Sequence, residues 1–426
     1  MTTRDTAFEM ATSNIRFGPG ITREVGMDLA DLGVRRTLVL TDPHMATLPP
    51  VEIVRESLAA EHIEFDLYDQ VRVEPTDQSF QHAIEVARAG QYDAFLAVGG
   101  GSTIDTAKAA NLYATYPDDF LAYVNAPLGS AKPVPGPLKP LIAVPTTAGT
   151  GSETTGVAIF DMSELHAKTG IAHRRLKPTL GLVDPENTRL LPPVAVAATG
   201  LDVLCHAIES YTAIPFDQRP RPERPILRPA YQGSNPISDI WSERAMTMVS
   251  TYLQRAFADA TDDEARSNML LAASYAGMGF GNAGVHLCHG MSYPISSMVR
   301  DYHPAGYPDD HPLVPHGISV VLTAPAVFRF TAPACPERHL RAAALLGADV
   351  GDATHDQAGM IVAERLIQLM QSLHLPNGLA EIGFTSADIP ALVQGTLPQH
   401  RVTKLSPREA NESDLQKMFD ESLKIW

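Results

Sequence analysis

The sequence predicts an α/β N-terminal domain built on a mostly parallel sheet, followed by an all-α C-terminal domain. Three observations predict it. Short apolar runs alternate with segments of helical periodicity through residues 1–190. The texture then changes at LVDPENTRLLPP, where Pro192 and Pro193 stand where a helix begins and no repeated strand pattern follows. Finally, 426 residues, 44% of them hydrophobic and 19% charged, are ordinary globular usage and exclude disorder, collagen and coiled coil. At roughly 100–200 residues per domain the length alone allows two to four domains. The break at Pro192 selects two, residues 1–190 and 191–426.

In chain order the expected strands are TLVLTD (Thr37–Asp42), IEFDLYD, DAFLAVGG, LIAVPTT, GVAIF and TLGLVD. Between them, ITREVGMDLADLG and TDQSFQHAIEVARAG repeat apolar residues at helical spacing and carry Thr or Gly at their ends. Strand, helix, strand repetition means parallel strands with helices on both faces, and ligands then bind at the carboxyl ends of the strands.

Two turns at such ends carry chemistry. Gly99, Gly100, Gly101 and Ser102 follow one strand and open a helix, so the backbone can approach a phosphate and free amides can meet its charge. A glycine turn alone also serves as a tight strand-to-helix connection. A second turn, PTTAGTGSETT, again follows a strand, and the two together point to a dinucleotide pyrophosphate. Asp42 ends its strand where an acid accepts from a ribose diol, or else is the turn residue before Pro43.

Beyond Val194 the pattern is helical. Ser267–Val299 contains no Asp, Glu, Lys or Arg, yet Asn268, Asn282, His286 and His289, with Gly277, Gly279, Gly281 and Gly284, mark it as buried protein rather than a membrane span. In GLDVLCHAIESY, Asp202 and His206 lie four apart on one helical face, where both reach one ion. His286, His289, His303, His311 and His316 crowd into a short stretch of a chain holding 15 histidines, and His289 and His316 are the inward candidates. One carboxylate and up to three imidazoles suit Fe(II) or Zn(II) with an open position for substrate. Cys205 and Cys288 each precede a ligand and point about 100° away, into the core. The Pro-rich loop holding Arg219, Arg221, Arg224 and Arg228 either clamps a carboxylate or pairs with its own Asp217 and Glu223.

Composition excludes other classes. A net charge of −16 is wrong for a nucleic-acid partner. Three cysteines form no disulfide framework and suit a reducing compartment. The N-terminal stretch shows neither a signal-peptide nor an Arg-rich transit pattern, which leads to an expected cytoplasmic location with no membrane partner.

GGGSTIDTAKA, PTTAGTGSE, GLDVLCHAIESY, CHGM and PHG, in this order, resemble the iron-containing (group III) alcohol dehydrogenases over nearly the whole chain. Longer segments such as RPAYQGSNPISDIW and GFGNAGVHLCHGMSYPIS resemble a branch of that family that passes hydride between a hydroxyacid and an oxoacid. The resemblance implies an N-terminal nucleotide-binding domain and a C-terminal helical metal domain, with the metal in the cleft and a homodimer as the assembly. It implies Asp202, His206, His289 and His316 as metal ligands. It implies Asp42, Gly99, Gly100, Gly101, Ser102, Asp105, Thr146, Thr147 and Lys168 as contacts of NAD(H). Many members place a proton-relaying histidine four residues after the third ligand; here that residue is Tyr293, and Tyr293 with His286 is the expected replacement. The implied donor is 4-hydroxybutyrate and the implied acceptor 2-oxoglutarate, giving succinic semialdehyde and 2-hydroxyglutarate. The alternative is an iron-dependent, NAD-linked alcohol dehydrogenase with exchangeable cofactor.

Overall fold

The computed structural model describes residues 4–165, 167–307 and 309–426. The chain forms two compact units: Ala11–Leu191, and Pro192–Trp426 together with the residues up to Met10. The N-terminal residues, expected with the first domain, are held by the second. The Arg228 guanidinium donates to both Asp5 carboxylate oxygens, at 3.0 and 2.9 Å, and the ring of Phe8 meets that of Phe216 edge-on.

Among its described residues the first unit contains eight strands: β1 (Asn14–Phe17), β2 (Arg36–Leu40), β3 (Glu64–Tyr68), β4 (Ala94–Gly99), β5 (Leu141–Pro145), β6 (Val157–Met162), β7 (Ala167–Ala172) and β8 (Leu180–Val183). Six of them form one sheet in the order β1-β8-β5-β4-β2-β3, with every neighbouring pair parallel. Its helices are α1 (Val25–Asp31), α2 (Pro49–Ala60), α3 (Asp77–Gly90) and α4 (Gly101–Thr115). Alternate residues of one strand enter opposite layers. Val39, Leu96 and Val98 join the cluster under α1 and α2, whereas Leu38, Leu40, Phe95 and Ala97 join the one under α3 and α4. Burial on both faces explains why these strands read as continuous apolar runs.

GVAIF departs from expectation. It pairs antiparallel with β7 as a separate two-stranded ribbon, so it is not a strand of the parallel sheet. Two strands escaped the sequence reading. β1 is a short edge strand with no fully buried residue, and β7 contains Lys168 and Gly170, neither of which signals a strand.

The second unit, among the described residues, is helical: α5 (Pro193–Thr212), α6 (Pro236–Ala258), α7 (Asp263–Ala283), α8 (Leu287–Ser297), α9 (His316–Val321), α10 (Ala324–Thr331), α11 (Pro336–Leu345), α12 (Ala358–Ser372), α13 (Ile389–Thr396), α14 (His400–Thr403) and α15 (Glu412–Leu423). Pro193 occupies the first turn of α5, where its missing N–H has no helical partner to lose. Almost the whole of α5 is buried, because α6, α7 and α9 all pack on it. No helix of the described residues is long and apolar enough to cross a membrane.

Candidate metal centre and nucleotide loops

Asp202 and His206 project from one face of α5. Gly284, at φ +98°, ends α7 and lets the chain re-enter as α8, which carries His289. His316 opens α9. That helix approaches α5 closely because residue 317 is glycine: a Cβ there would lie 1.9 Å from the Ala198 carbonyl oxygen and 2.9 Å from Asp202 Cβ.

These elements bring four donors together. One ligand atom from each of Asp202, His206, His289 and His316 lies within 4.8 Å of all the others. Asp202 Oδ2 is 3.7 Å from His206 Nδ1, and Asp202 Oδ1 is 3.6 Å from His289 Nε2 and 3.9 Å from His316 Nε2. Donors bound tetrahedrally at about 2.1 Å from one ion sit roughly 3.4 Å apart. Asp202 Oδ1, His206 Nδ1 and His289 Nε2 are buried atoms with no hydrogen-bond partner. Three such atoms facing one another are costly without a cation between them, so the donor set fits a divalent metal.

Electrostatics of the two α5 ligands agree with that reading, whereas at His289 burial is outweighed by Glu209 and Asp202, which push the imidazole up to about 9, so a metal there must displace a proton. Burial opposes ionisation of Asp202, but His206, His316 and His289 together hold its carboxyl well below the usual range. Burial pushes His206 down to about 3, against the pull of Asp202. Both imidazole and carboxylate are therefore in their metal-binding protonation states.

A fifth residue organises the set. Glu209, wholly buried one helical turn beyond His206, uses Oε1 to accept the backbone N–H groups of His286 (3.1 Å) and Cys288 (2.7 Å). Those amides open α8, which has no side-chain cap of its own. Oε2 accepts a hydrogen bond from His289 Nδ1, which leaves Nε2 facing Asp202. Burial works against the Glu209 carboxylate, yet His286, His289 and the Cys288 amide hold it down to about 2. The sequence reading missed Glu209, although its spacing of three from His206 places it on the ligand face of α5.

His286 is placed behind this layer, not among the ligands. Its Nε2 lies 3.0 Å from the Thr212 hydroxyl and its Nδ1 3.2 Å from Glu209 Oε1, and burial pushes it down to about 4. Thr212 is about 15 Å along α5 from Asp202, so His286 contacts the support of the ligands. Tyr293, one turn after His289, is 4% exposed, and its hydroxyl accepts a hydrogen bond from Arg401 Nη2 at 2.7 Å. His303 and His311 pair with Asp309 and Asp310 of their own loop. Cys205 and Cys288 are buried, and burial raises both thiols well above their ordinary value. The arginine loop is partly consumed in structure, since the Arg228 fork holds Asp5.

In the first unit, the sheet order sets the nucleotide loops side by side. The chain leaves β2 on one side to form β3 and returns on the other to form β4, and ligands of such sheets bind outside the strand ends at this switch. Asp42 follows β2, Gly99–Ser102 follow β4, and Thr146 and Thr147 follow the adjacent β5. The loops touch: a Cβ on Gly100 would lie 3.2 Å from Thr147 Cγ2, and one on Gly101 2.5 Å from Thr150 Cγ2. The Thr146 amide donates to the Gly99 carbonyl at 3.1 Å. Ser102 Oγ accepts from the Glu74 amide at 3.2 Å.

Three expected cofactor contacts have structural partners. Asp42 Oδ1 accepts the amides of His44 and Met45 at 3.0 and 2.9 Å, which fills the turn role. Asp105 Oδ2 accepts the Ile159 amide at 2.9 Å, and Oδ1 takes up the wholly buried Lys108 ammonium at 3.1 Å and the Ser152 hydroxyl. Lys168, 2% exposed, pairs with Glu74 and, at 3.6 Å, with Asp161.

Comparison with known proteins agrees with both halves. Residues 12–185 match the model of iron-containing alcohol dehydrogenase, and residues 230–423 match that of the Fe-containing alcohol dehydrogenase family, C-terminal. The chain is 61% identical over 426 residues to hydroxyacid-oxoacid transhydrogenase, mitochondrial, from Bos taurus, covering 100% of this chain and 91% of that protein. It resembles the crystal structure of 1,3-propanediol oxidoreductase (TM-score 0.85, 26% identity, covering 98% and 100% of the two chains). It also resembles sulfoacetaldehyde reductase from Bifidobacterium kashiwanohense in complex with NAD+ (TM-score 0.79, 25% identity, covering 98% and 99%). The name of the bovine relative overturns the expected cytoplasmic location and points to mitochondria. Acidity and few cysteines report charge and redox conditions, not an organelle.

Proposed function

The chain belongs to the iron-containing alcohol dehydrogenase family, and from that premise we propose that it passes hydride from 4-hydroxybutyrate to 2-oxoglutarate, giving succinic semialdehyde and 2-hydroxyglutarate. It is a metal-dependent, nicotinamide-linked oxidoreductase whose 61% identical relative is named for hydroxyacid-oxoacid transhydrogenation. The observation that carries the reading is the convergence of Asp202, His206, His289 and His316, three of them contributing buried, partnerless donor atoms.

When bound, a divalent metal, Fe(II) in this proposal, supplies Lewis acidity to a substrate oxygen while the nicotinamide takes up and returns the hydride. The four donor residues hold that metal, and Asp202 alone among them brings a negative charge, so the site stays attractive to an anionic oxygen. Glu209 keeps the His289 proton on Nδ1 and fixes the ring's direction. Phe280 stacks on His206 at 3.9 Å between ring centres and keeps water from that imidazole. Tyr293 holds a proton at its hydroxyl, whose oxygen already accepts from Arg401, and is the proposed proton-handling group. His286 supports Glu209 from behind. The amides at Gly99–Ser102 and the hydroxyl-rich turn at Thr146 and Thr147 receive the pyrophosphate.

The test mixes purified protein, with metal and nicotinamide content verified, with 4-hydroxybutyrate and 2-oxoglutarate and no added NAD. Formation of 2-hydroxyglutarate at many turnovers per chain is expected. Its absence, with NADH released into solution when NAD is supplied, would assign an alcohol dehydrogenase with exchangeable cofactor instead.

A further inference from the structure

Among the described residues, Arg401 forms no ion pair with an acid. It lies on α14, which rests against α8 beside His289: a Cβ on Gly290 would lie 2.7 Å from Thr403 Cγ2. Its Nη2 donates to the Tyr293 hydroxyl at 2.7 Å, and its guanidinium carbon is 5.1 Å from the centre of the Tyr231 ring. Its Nη1 is buried and has no hydrogen-bond partner. Burial opposes the charge, and the two tyrosines, each acting through charge and a side-chain hydrogen bond, are the main groups that favour it. A buried guanidinium without a counter-ion is destabilising, and a chain with 49 acidic residues had acids to supply one.

Two routes tie Arg401 to the metal ligands. Along α8, Tyr293 is one turn, about 6 Å of rise, beyond His289. On the other side, Tyr231 meets Phe280 edge-on at 6.4 Å, and Phe280 stacks on His206. The orphaned N–H group is therefore linked to the ligand cluster by two short chains of side-chain contacts.

We propose that Arg401 Nη1, with the guanidinium held in place by its bond to the Tyr293 hydroxyl, forms the carboxylate-recognition site of this enzyme and that the same guanidinium reads both substrates. The proposal rests on the transhydrogenase reading above. In 4-hydroxybutyrate the reacting carbon is separated from the carboxylate by two methylenes. In 2-oxoglutarate the keto carbon is separated from the distal carboxylate by two methylenes as well. A single cation at fixed distance from the metal ligands thus selects for the one feature the two molecules share, and the second substrate re-occupies the place the first has left. Arg fits this role better than Lys because its planar fork gives one N–H to Tyr293 while directing another at the incoming anion.

The experiment compares wild type with Arg401→Gln and Arg401→Lys, after metal content and thermal unfolding show that each is folded and loaded. Kinetics are measured with 4-hydroxybutyrate, 3-hydroxypropionate, 2-oxoglutarate and the uncharged butane-1,4-diol, and binding of unreactive glutarate is measured by calorimetry. In Arg401→Gln the preference for 4-hydroxybutyrate over the diol in kcat/KM is expected to fall about 100-fold. 2-Oxoglutarate and glutarate weaken in parallel, and Arg401→Lys recovers part of the loss. Should Arg401→Gln fail to fold, the same comparison is read on Arg401→Lys, with a smaller loss in the same direction. An unchanged preference, or a loss confined to one of the two acids, overturns the proposal. Failure of the wild type itself to pass hydride from hydroxyacid to oxoacid overturns the underlying reading instead.

Discussion

The Glu209 carboxylate receives the Nδ1 proton of His289 while its other oxygen closes the amide end of the helix on which His289 rides. Helix position and ring orientation of one metal ligand are thereby set by a single buried acid. Replacing Glu209 with Gln keeps the size but puts an N–H₂ group in place of one acceptor. Metal affinity is expected to fall about 10–100-fold. Chelator competition with Co(II) or Zn(II) measures it without turnover, and an unchanged affinity would mean that His289 is oriented by packing alone.

Gly317 sets the approach of α9 to α5. An alanine Cβ would collide with the Ala198 carbonyl and press on Asp202, so α9 must back away and carry His316 with it. Gly317→Ala is expected to destabilise the fold by about 1–3 kcal/mol and to lower metal occupancy. Chemical denaturation and metal analysis of the same preparation report both; full occupancy would show that His316 is not needed to hold the ion.

Asp105 faces a lysine with no exposure at all. Burial depresses the Lys108 ammonium, and Asp105 is the first group that opposes this. Asp105→Asn is therefore expected to destabilise by about 3 kcal/mol, measured by urea unfolding. A negligible stability change accompanied by loss of bound nicotinamide would favour the cofactor role that the family resemblance implies.

Lys177 supplies a pH dependence. Burial, and then the Lys108 and Arg174 cations, push its ammonium down to about 7 in the folded chain. Unfolding restores the ordinary pKa near 10.5, so between about pH 7 and 10.5 the unfolded chain binds more protons. Stability contributed by this residue must rise with pH across that window. Between pH 7 and 9 a gain of about 1–2 kcal/mol relative to Lys177→Met is expected. Parallel pH profiles of the denaturation midpoints for the two proteins would remove Lys177 as the cause.

The sequence by itself determined the fold class, because periodicity and the Pro192–Pro193 break are local signals that the parallel sheet and the helical unit obey. It also singled out Asp202 and His206, whose four-residue spacing is a property of one helix, and it reached His289 and His316 through their crowding and the family motifs. What it could not decide is what each polar group faces. Asp42, Asp105 and Lys168 carry the right chemistry for a cofactor, yet tertiary packing gives each a partner within the protein. Arg401 meets Tyr293 across 108 residues of chain, with no pattern at either end to announce it. Local spacing fixes direction along one helix or strand. Only the folded chain decides which buried charges are already answered and which, like that of Arg401, keep a buried N–H without a partner.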